Sequence, residues 1–577
     1  MAVYKTDQRD ILFNLLDVLK VTEHEKYGFD DASVKEILNE FDKFVENVIY
    51  PTRQQSDEEG VKLTENGVVV PECLKDVTKQ FYDMGWFALG QPEDIGGSPV
   101  PEALSTACLS ISAGANCGWS MYPGLTKGAL NVLRLVGDEY VKNTYIAPIM
   151  AGTWGGTMCL TEAGAGSDVG NLNTTAKPID GKDGWFKLKG TKIFISSGES
   201  DLYENNIHLV LARTPEGQPG AKGISLFVVP RHKVNEDGSL GDSNDVRCSG
   251  IEHKMGIHAS ATCVMNFGDN DNCEGYLIGE EFQGMANMFI MMNEARLDVG
   301  VQGESQANLV YEMTKQYVLE RTQFGTEIIN LPDVKRMVLK MRAMSRGLRS
   351  LTLYTSNMFD LAHDDKKYHS IIGLLVPICK SFGSDQGFNV SVDAIQCHGG
   401  YGYCAEYGIE QFARDTKIAS LYEGTNGIQA IDFVTRKILK DKGQALREIT
   451  EIIFKTSNNL SDDFAFERGI FSNALAAAQD AMGFIAKKAK AGEMNMVLQN
   501  SMDFLNLSAH IVVAWRLMES ACIAGDKLES ATTQDEKDYL ESKIVDFKIY
   551  CSQYLVQSVS LAKSITSFDE DMTKFKV

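Results

Sequence analysis

The sequence lacks several features that would place it in other classes of protein. It has no long basic run, and its 56 Lys and Arg against 78 Asp and Glu give a net charge of −22. Binding to nucleic acid or to an anionic membrane surface needs clustered cations, so this charge disfavours both. It does not exclude an anionic ligand, because a few local arginines and helix N-termini can bind phosphate groups.

Long apolar segments and paired cysteines are also absent. No uninterrupted apolar run approaches the roughly 20 residues that cross a bilayer, and one of the longest, Ile371 to Cys379, ends at Lys380. The N-terminus lacks the basic-then-apolar order of a signal peptide, so we expect a cytoplasmic protein. The twelve cysteines include no Cys-x-x-Cys pair. This indicates reduced, mostly buried thiols and no metal or disulfide framework.

Three well-known functional motifs are missing as well. The chain has no Gly-x-Ser-x-Gly elbow, which removes the obvious thioesterase or lipase interpretation. It has no His-Glu-x-x-His pattern, so we interpret His253, His258 and His398 as structural or flavin-adjacent residues rather than metal ligands. The glycine-rich segment Thr161 to Asp168 is followed by Val169, where the dinucleotide-binding fingerprint would need its third glycine.

What the chain does have is a change of hydrophobic period along its length. Helical spacing is seen from about residue 30 to 150, gives way to a period of two from about 156 to 285, and returns after Gly284. The period of two is clearest in Ile207, Leu209, Leu211 and in Ile224, Leu226, Val228. These patterns predict an α+β fold with a helical N-terminal domain (1–155), a central β domain (156–285), a helical-bundle C-terminal domain (286–442) and an appended helical domain (443–577).

One carboxylate stands in a sequence suited to a catalytic base. Glu423 follows Leu421 and Tyr422 and precedes the turn residues Gly424 and Thr425. An ordinary glutamate titrates near ~4.3, and desolvation among such neighbours would raise its pKa toward a value useful for removing a weakly acidic proton. For an isolated Glu-Gly pair a solvated helix end is the commoner interpretation. Here three further motifs accompany it.

The four motifs together resemble the acyl-CoA dehydrogenase family, whose members are flavoproteins that desaturate acyl thioesters. The resemblance runs in the family's order from about residue 40 to about 440. Its motifs are Met158 to Asp168, Arg321 to Gly325, Ala394 to Tyr403 and Leu421 to Gly427. The segments Tyr4 to Leu19 and Asn244 to His258, and the tail, resemble a longer branch with an extra C-terminal helical domain, which includes the 3-methylthiopropanoyl-CoA dehydrogenases.

The resemblance implies a reaction and a set of site residues. Glu423 would take a proton from the carbon next to the thioester carbonyl while FAD receives a hydride from the next carbon, and the Glu423 N–H would help to polarise the thioester. The acyl-CoA would contact Ser167, Asn293, Arg296 and Gly424. The residues expected to bind FAD are Met158, Leu160, Thr161, Ser167, Phe194, Ser196, Arg321, Phe324, Gln396, Gly400 and Thr425.

Several of these roles have a plainer alternative. Phe194 would cover one flavin face and Ser196 would hydrogen-bond the ring, but an aromatic residue in a strand is more often core. Arg321 would clamp the pyrophosphate of FAD, yet a lone arginine at a helix end is more often a surface residue. In the family this arginine and the Gln396 and Gly400 region reach the flavin of a neighbouring subunit, which implies a homodimer or a dimer of dimers.

The sequence departs from the family's pattern at a few positions. Pro332 stands where many members have a glutamine near the adenine, and Asn293 stands where many have an aspartate. Some branches place the catalytic carboxylate directly before the arginine of the substrate helix, where this chain has Ala295. Glu294 would point about 100° away from that face. Glu423 is therefore the expected base.

Two rival functions remain open from the sequence. In a dehydrogenase the electrons would pass to an electron-transfer flavoprotein, whereas an acyl-CoA oxidase with the same scaffold and base would let oxygen reoxidise the flavin. A non-catalytic flavin-binding assembly protein is a third possibility, against which the joint presence of Glu423, Ser167 and Arg321 argues. The branch resemblance favours 3-methylthiopropanoyl-CoA or a short to medium fatty acyl-CoA as the substrate.

Overall fold

The computed structural model describes residues 4–24 and 26–569, apart from the side chains of residues 290 and 291. These residues form two compact units. The sheet unit consists of Lys43–Val100 and Ala115–Ala295, and the helical unit consists of Met1–Asp42, Pro101–Gly114 and Arg296–Val577. Each unit contains a different part of the predicted site.

An eight-stranded sheet is the centre of the sheet unit. Most neighbouring strands are antiparallel, but the first strand pairs in parallel with Asn205–Arg213. The hydrophobic alternation around Leu209 and Leu226 correctly predicts two strands, which are adjacent in this sheet. In chain order the strands are Trp154–Cys159, Thr175–Pro178, Trp185–Ser196, Asn205–Arg213, Ile224–Pro230, Val246–Ile251, Thr262–Phe267 and Glu274–Leu277.

The helices of this unit pack against one another and, in part, against the sheet. They are Thr52–Glu59, Cys73–Asp83, Cys117–Val136 and Glu139–Met150. Leu130 and Leu133 from these helices share one hydrophobic core with Met158, Ile207 and Leu209 from the strands. Two small hairpins complete the unit, Lys62–Thr64 with Gly67–Val69 and His232–Val234 with Leu240–Ser243.

The helical unit is a bundle of long and short helices. The long helices Pro332–Asp364 and Lys367–His398 pack against each other at its centre. The other α-helices that lie wholly or largely in this unit are Gln8–Leu12, Asp31–Phe44, Glu102–Ala115, Gly284–Glu320, Gly400–Tyr403, Glu410–Lys417, Asn426–Asp432, Gln444–Asn458, Ala465–Lys490, Met494–Gln499, Ser501–Leu528, Gln534–Tyr550 and Gln557–Ser567.

Glycines allow the helix that ends at Glu320 to approach the helix Lys367–His398 closely. A Cβ atom on Gly303 would lie 2.3 Å from the carbonyl oxygen of Gly383, and one on Gly387 would lie 2.3 Å from that of Gly303. Any larger residue would force the two helices apart, because a packed interior has no room to absorb such an overlap.

The helices of the predicted appended domain pack in the same compact unit as residues 296–442. Ser501–Leu528 lies against Pro332–Asp364, and a Cβ atom on Gly347 would be 2.5 Å from Cγ1 of Val513. Within the described residues, Ser501–Leu528 is the one helix long and apolar enough to cross a membrane, but 83% of its apolar window is buried in the protein. The predicted boundary between 442 and 443 stays a prediction.

Buried charged residues connect the N-terminal segment to the rest of the helical unit. Asp10 has no exposed surface and accepts hydrogen bonds from Lys543 and from Arg349, whose Nη1 lies 2.8 Å from Oδ2 of Asp10. Arg346 donates to Asp7 at 3.0 Å. Residues from the N-terminus, the bundle and the C-terminal helices therefore share one ionic network.

Candidate active site

Glu423 lies in a turn with an unusual backbone conformation. Its φ is +56°, and Gly424 follows with a φ of +83°. Thr425 then caps the helix Asn426–Asp432, because its Oγ1 accepts a hydrogen bond from the N–H of Ile428 at 3.3 Å. A left-handed conformation costs a non-glycine residue about 1 kcal/mol or more and is found mainly where function or surrounding contacts hold it.

The electrostatic setting of Glu423 suits a base. The residue is half-buried, and this burial raises the pKa of its carboxyl group above the ordinary value, against the opposing effects of Arg296 and Lys380. The direction is the one predicted from the sequence. A raised pKa increases the affinity of the carboxylate for a proton, which is what abstraction from a weak carbon acid requires.

The residues next to Glu423 differ in exposure and in their hydrogen bonds. Leu421 is 53% exposed. Tyr422 is half-buried, and its hydroxyl donates a hydrogen bond to Gln302. Gln429 is fully buried and donates from Nε2 to the carbonyl oxygen of Glu423 at 3.1 Å. The turn is therefore held by amide contacts more than by apolar packing.

Arg296 is buried beside this turn. Arg296 is 8% exposed. A Cβ atom placed on Gly424 would lie 3.9 Å from Nη2 of Arg296. Burial lowers its pKa, against the carboxylates of Asp432 and Glu423. Its Nε has no hydrogen-bond partner among the described residues. The structure thus brings two predicted residues, Arg296 and Glu423, together, while the contact of Arg296 with CoA stays a prediction.

The residues before Arg296 belong to the sheet unit. Asn293 is half-buried, and Glu294 is exposed, where its Oε2 accepts a hydrogen bond from Nδ2 of Asn131 at 2.7 Å. Ala295 carries no carboxylate at the alternative base position. The alternative base position therefore holds no carboxylate, and the assignment of Glu423 as the base stays a prediction.

The glycine-rich segment forms an open loop after the first strand of the sheet. Met158 is buried in the hydrophobic core, Leu160 and Thr161 are half-buried, and Ser167 is exposed. A Cβ atom on Gly164 or Gly166 would meet nothing within 4 Å. The loop backbone is therefore accessible to a ligand, as the prediction of flavin binding requires.

A buried ion pair fixes the start of this loop. Oε1 of Glu162 accepts hydrogen bonds from Nζ of Lys192 at 2.8 Å and from Oγ1 of Thr174 at 2.6 Å. Nζ of Lys192 also donates to the carbonyl oxygen of Leu160 at 3.2 Å. Sequence reasoning missed Glu162 and Lys192 as supporting residues. A charged residue inside an otherwise strand-like segment, as Lys192 is, was the signal available.

Phe194 is the most conspicuous residue of the third strand, Trp185–Ser196. Its φ is +58° and its side chain is 59% exposed, although the flanking Ile195 is buried. Ser196 is half-buried, and its carbonyl oxygen accepts a hydrogen bond from Oγ1 of Thr157 at 2.6 Å. An aromatic face turned to solvent, with a hydroxyl nearby and an open glycine loop in the same unit, fits the ring of FAD.

The predicted pyrophosphate residues lie in the helical unit. Arg321 follows directly after the helix Gly284–Glu320, and its guanidinium group lies 5.4 Å from the ring centroid of Tyr401, next to Gly400. Phe324 is 92% exposed and has a φ of +54°. Gln396 is also exposed. The structure thus brings Arg321 close to the Gly400 region.

The three histidines have surroundings of different kinds. His398 is buried, contacts the carbonyl oxygen of Ala394 through Nδ1 at 2.8 Å and stacks on Tyr317 with ring centroids 4.1 Å apart. His258 contacts Asp57 at 3.2 Å. His253 is exposed. In the part of the chain that the structure describes, no group of three or more His, Cys, Asp or Glu side chains is arranged to hold a metal ion.

Models of protein families match four successive segments of the chain. Residues 31–153 match "Acyl-CoA dehydrogenase, N-terminal domain", residues 157–270 match the middle domain and residues 283–439 match the C-terminal domain of the same family. Residues 444–576 match "Acetyl-CoA dehydrogenase C-terminal like". The matches together extend over most of the sequence.

Similar proteins include full-length relatives. The chain is 37% identical to a 3-methylmercaptopropionyl-CoA dehydrogenase from Ruegeria pomeroyi, with 99% of each chain covered. It is 33% identical to the broad-specificity linear acyl-CoA dehydrogenase FadE5 of Mycobacterium tuberculosis, again with 99% of each covered. An acyl-CoA dehydrogenase from Bacillus anthracis, solved in complex with FAD, has the same fold with a TM-score of 0.75, 22% identity and coverage of 94% of this chain and 90% of that one.

Proposed function

The chain belongs to the acyl-CoA dehydrogenase family, and we propose that it converts an acyl-CoA thioester to the trans-2-enoyl-CoA with FAD as cofactor and Glu423 as the base. The observation that carries the choice of base is the conformation and setting of Glu423. Its backbone has a left-handed conformation, its side chain is half-buried, and burial raises the pKa of its carboxyl group. These properties are unusual for a structural glutamate.

The proposed reaction begins with loss of a proton from C2, the carbon next to the thioester carbonyl. The Glu423 carboxylate takes this proton. FAD, when bound, supplies the acceptor for the hydride that leaves C3. One C–H bond breaks at each carbon and the C2–C3 double bond forms, so the substrate loses two protons and two electrons in total.

The backbone of Glu423 has a second part in this proposal. Among the residues that the structure describes, none accepts a hydrogen bond from the Glu423 N–H. That donor is free for the carbonyl oxygen of the thioester, where negative charge develops as the proton leaves C2. A positioned N–H donor stabilises such charge more than water does, because it is already oriented.

The remaining site residues are proposed on their accessibility. Phe194 and Ser196, with the open loop from Thr161 to Ser167, would hold the flavin ring. Arg321, with Phe324, Gln396 and Gly400 nearby, would hold the pyrophosphate of a neighbouring subunit's FAD, which makes the protein a homodimer or a dimer of dimers. The exposure of Phe324 supports an interface at this position.

The substrate and the electron acceptor follow from the same family membership. The relatives' names indicate short or linear acyl-CoA thioesters, so we propose 3-methylthiopropanoyl-CoA or a short to medium fatty acyl-CoA. We propose an electron-transfer flavoprotein as the acceptor of the electrons, and a cytoplasmic location stays a prediction.

Anaerobic titration of the FAD-loaded protein with a panel of acyl-CoA thioesters tests the function. At least one member of the panel should bleach the flavin of the wild-type protein, and Glu423→Gln should abolish bleaching while FAD stays bound. Glu451→Gln, which changes an exposed glutamate on the helix Gln444–Asn458, away from every proposed site residue in the sequence, is the matched control and should bleach normally. Normal bleaching by Glu423→Gln would refute the assignment, and peroxide formed in air during turnover would indicate an oxidase.

A further inference from the structure

We propose that Lys380 is a positioning residue for Glu423: its buried ammonium group holds the catalytic turn through a hydrogen bond to Asn426 and places a positive charge at the base of that turn. The proposal rests on the proposed function, because it assumes that Glu423 is the base. Neither the family motifs nor the sequence pattern points to this lysine, which follows an apolar helical segment.

The geometry connects Lys380 to the turn by a short chain of hydrogen bonds. Lys380 lies in the helix Lys367–His398, has no exposed surface and donates from Nζ to Oδ1 of Asn426 at 2.9 Å. Asn426 is the first residue of the helix that follows the turn. Its Nδ2 donates to Oγ of Ser384 at 3.0 Å. The helix Lys367–His398 is therefore hydrogen-bonded to the residue that follows the turn, on the carboxyl-terminal side of Glu423.

The burial of Lys380 costs free energy that a purely structural role would not explain. A lysine is almost never fully buried unless it is paired, because its ammonium group loses its hydration. Its hydrogen-bond acceptor here, Asn426, is a neutral amide. The carboxylates that act on Lys380 are those of Glu423, from the turn, and Asp385, from its own helix, while Arg296 opposes them from the helix Gly284–Glu320. The Glu423 carboxylate is therefore one of two negative charges that oppose the effect of burial on the lysine.

This arrangement makes the charge of Lys380 sensitive to pH. Burial lowers the pKa of Lys380 to about 8, although Glu423 and Asp385 act in the opposite direction. Burial also raises the pKa of Asp385, against the opposing effects of a hydrogen bond with Asn426 and of the charges of Lys417 and Lys380. While Lys380 is protonated it lowers the pKa of Glu423, so loss of the ammonium charge must raise the pKa of Glu423.

The pH dependence of anaerobic flavin bleaching tests the proposal on the FAD-loaded protein. Bleaching requires an ionised Glu423, so its rate should fall on the acid side. In Lys380→Met that acid limb should move to higher pH by about one pH unit, the change expected when an opposite charge is removed. Lys380→Gln should behave in the same way. Lys367→Met, which removes an exposed lysine from the same helix, is the matched control and should leave the limb in place.

Two further variants separate the possible failures. If Glu423→Gln bleaches normally, the proposed function itself is wrong. If Glu423→Gln is inactive but folded Lys380→Met keeps the acid limb of the wild-type protein, only the role of Lys380 is overturned. Asn426→Ala keeps the ammonium group and removes its acceptor, so it serves if neither Lys380 variant folds. In this Asn426 variant, slower bleaching with the acid limb at the wild-type pH supports the proposal. An Asn426 variant that bleaches at the wild-type rate overturns it.

Discussion

Nζ of Lys192 lies 2.8 Å from Oε1 of Glu162, and neither side chain is more than 7% exposed. The pair stands at the root of the glycine-rich loop, because Lys192 also donates to the carbonyl oxygen of Leu160. Removing one partner from such a pair leaves a buried charge uncompensated, which costs more than the pair itself contributes. The loop proposed to hold the flavin thus depends on an ionic contact with the strand that carries Phe194.

Glu162→Gln should therefore weaken both the fold and flavin binding. We expect a loss of about 3 kcal/mol in the free energy of unfolding, because Lys192 would keep its charge without a partner. Urea unfolding of the protein and the fluorescence of free FAD measure the two effects. Lys189→Met breaks the exposed pair between Lys189 and Asp271 and should cost less than about 1 kcal/mol. Equal stability of the two variants would contradict this account of the loop.

Phe194→Ala should reduce the affinity for FAD with little effect on stability. The side chain is 59% exposed, so little buried surface is lost when it is truncated. Loss of one aromatic contact with the flavin should raise the dissociation constant of FAD about tenfold. Phe466→Ala changes another exposed phenylalanine, 70% exposed, and should bind FAD normally. If the melting temperature of Phe194→Ala falls sharply while its FAD affinity stays unchanged, Phe194 is a core residue.

Asp7→Asn should show how much the N-terminal ionic network contributes to stability. Burial alone would raise the pKa of Asp7, but the charges of Arg346, Arg349 and Lys543 outweigh it and hold that pKa at about 2, below the ordinary 3.8. A lowered folded-state pKa contributes stability above the unfolded-state value, and this contribution is lost as the pH falls through the folded-state value. We expect wild-type protein to be more stable than Asp7→Asn by about 2 kcal/mol near pH 6.

The difference in the free energy of unfolding between the wild-type protein and Asp7→Asn should narrow as the pH falls from about 4 toward 2. Urea unfolding across this pH range gives the measurement. The control is Asp535→Asn, which removes an exposed carboxylate that pairs with Arg9 and should change the free energy of unfolding by less than about 1 kcal/mol. A gap that stays constant down to pH 2 would show that the carboxylate of Asp7 acts through packing rather than charge.

The sequence predicts the fold well where hydrophobic period and motif agree. Two strands of the sheet follow from the alternation around Leu209 and Leu226, and family motifs identify the elements around them. The alternation does not reveal that the strand Asn205–Arg213 is buried on both faces, so that His208 lies in the interior. Which polar residues of a strand are buried depends on the elements that cover it, and these come from distant parts of the chain.

The supporting residues of the site could not be predicted for a related reason. Lys380 ends an apolar run in the sequence and looks like the point where the helix returns to solvent, but its acceptor, Asn426, comes from another helix. The closeness of Gly303 and Gly383 likewise becomes apparent only when two helices are paired. The desolvation of Glu423 was predicted in the right direction, and Leu421 as one source of it stays a prediction.

Exchange of the C2 hydrogens of a bound thioester tests the central claim, that Glu423 is the base, most directly. An acyl-CoA with sulfur in place of C3 has no hydride to lose at that position, so proton transfer can be followed alone by NMR in deuterated water. We predict exchange by the FAD-loaded wild-type protein and a loss of about a thousandfold in Glu423→Gln. Exchange by Glu423→Gln at the wild-type rate would contradict the assignment of Glu423 as the base.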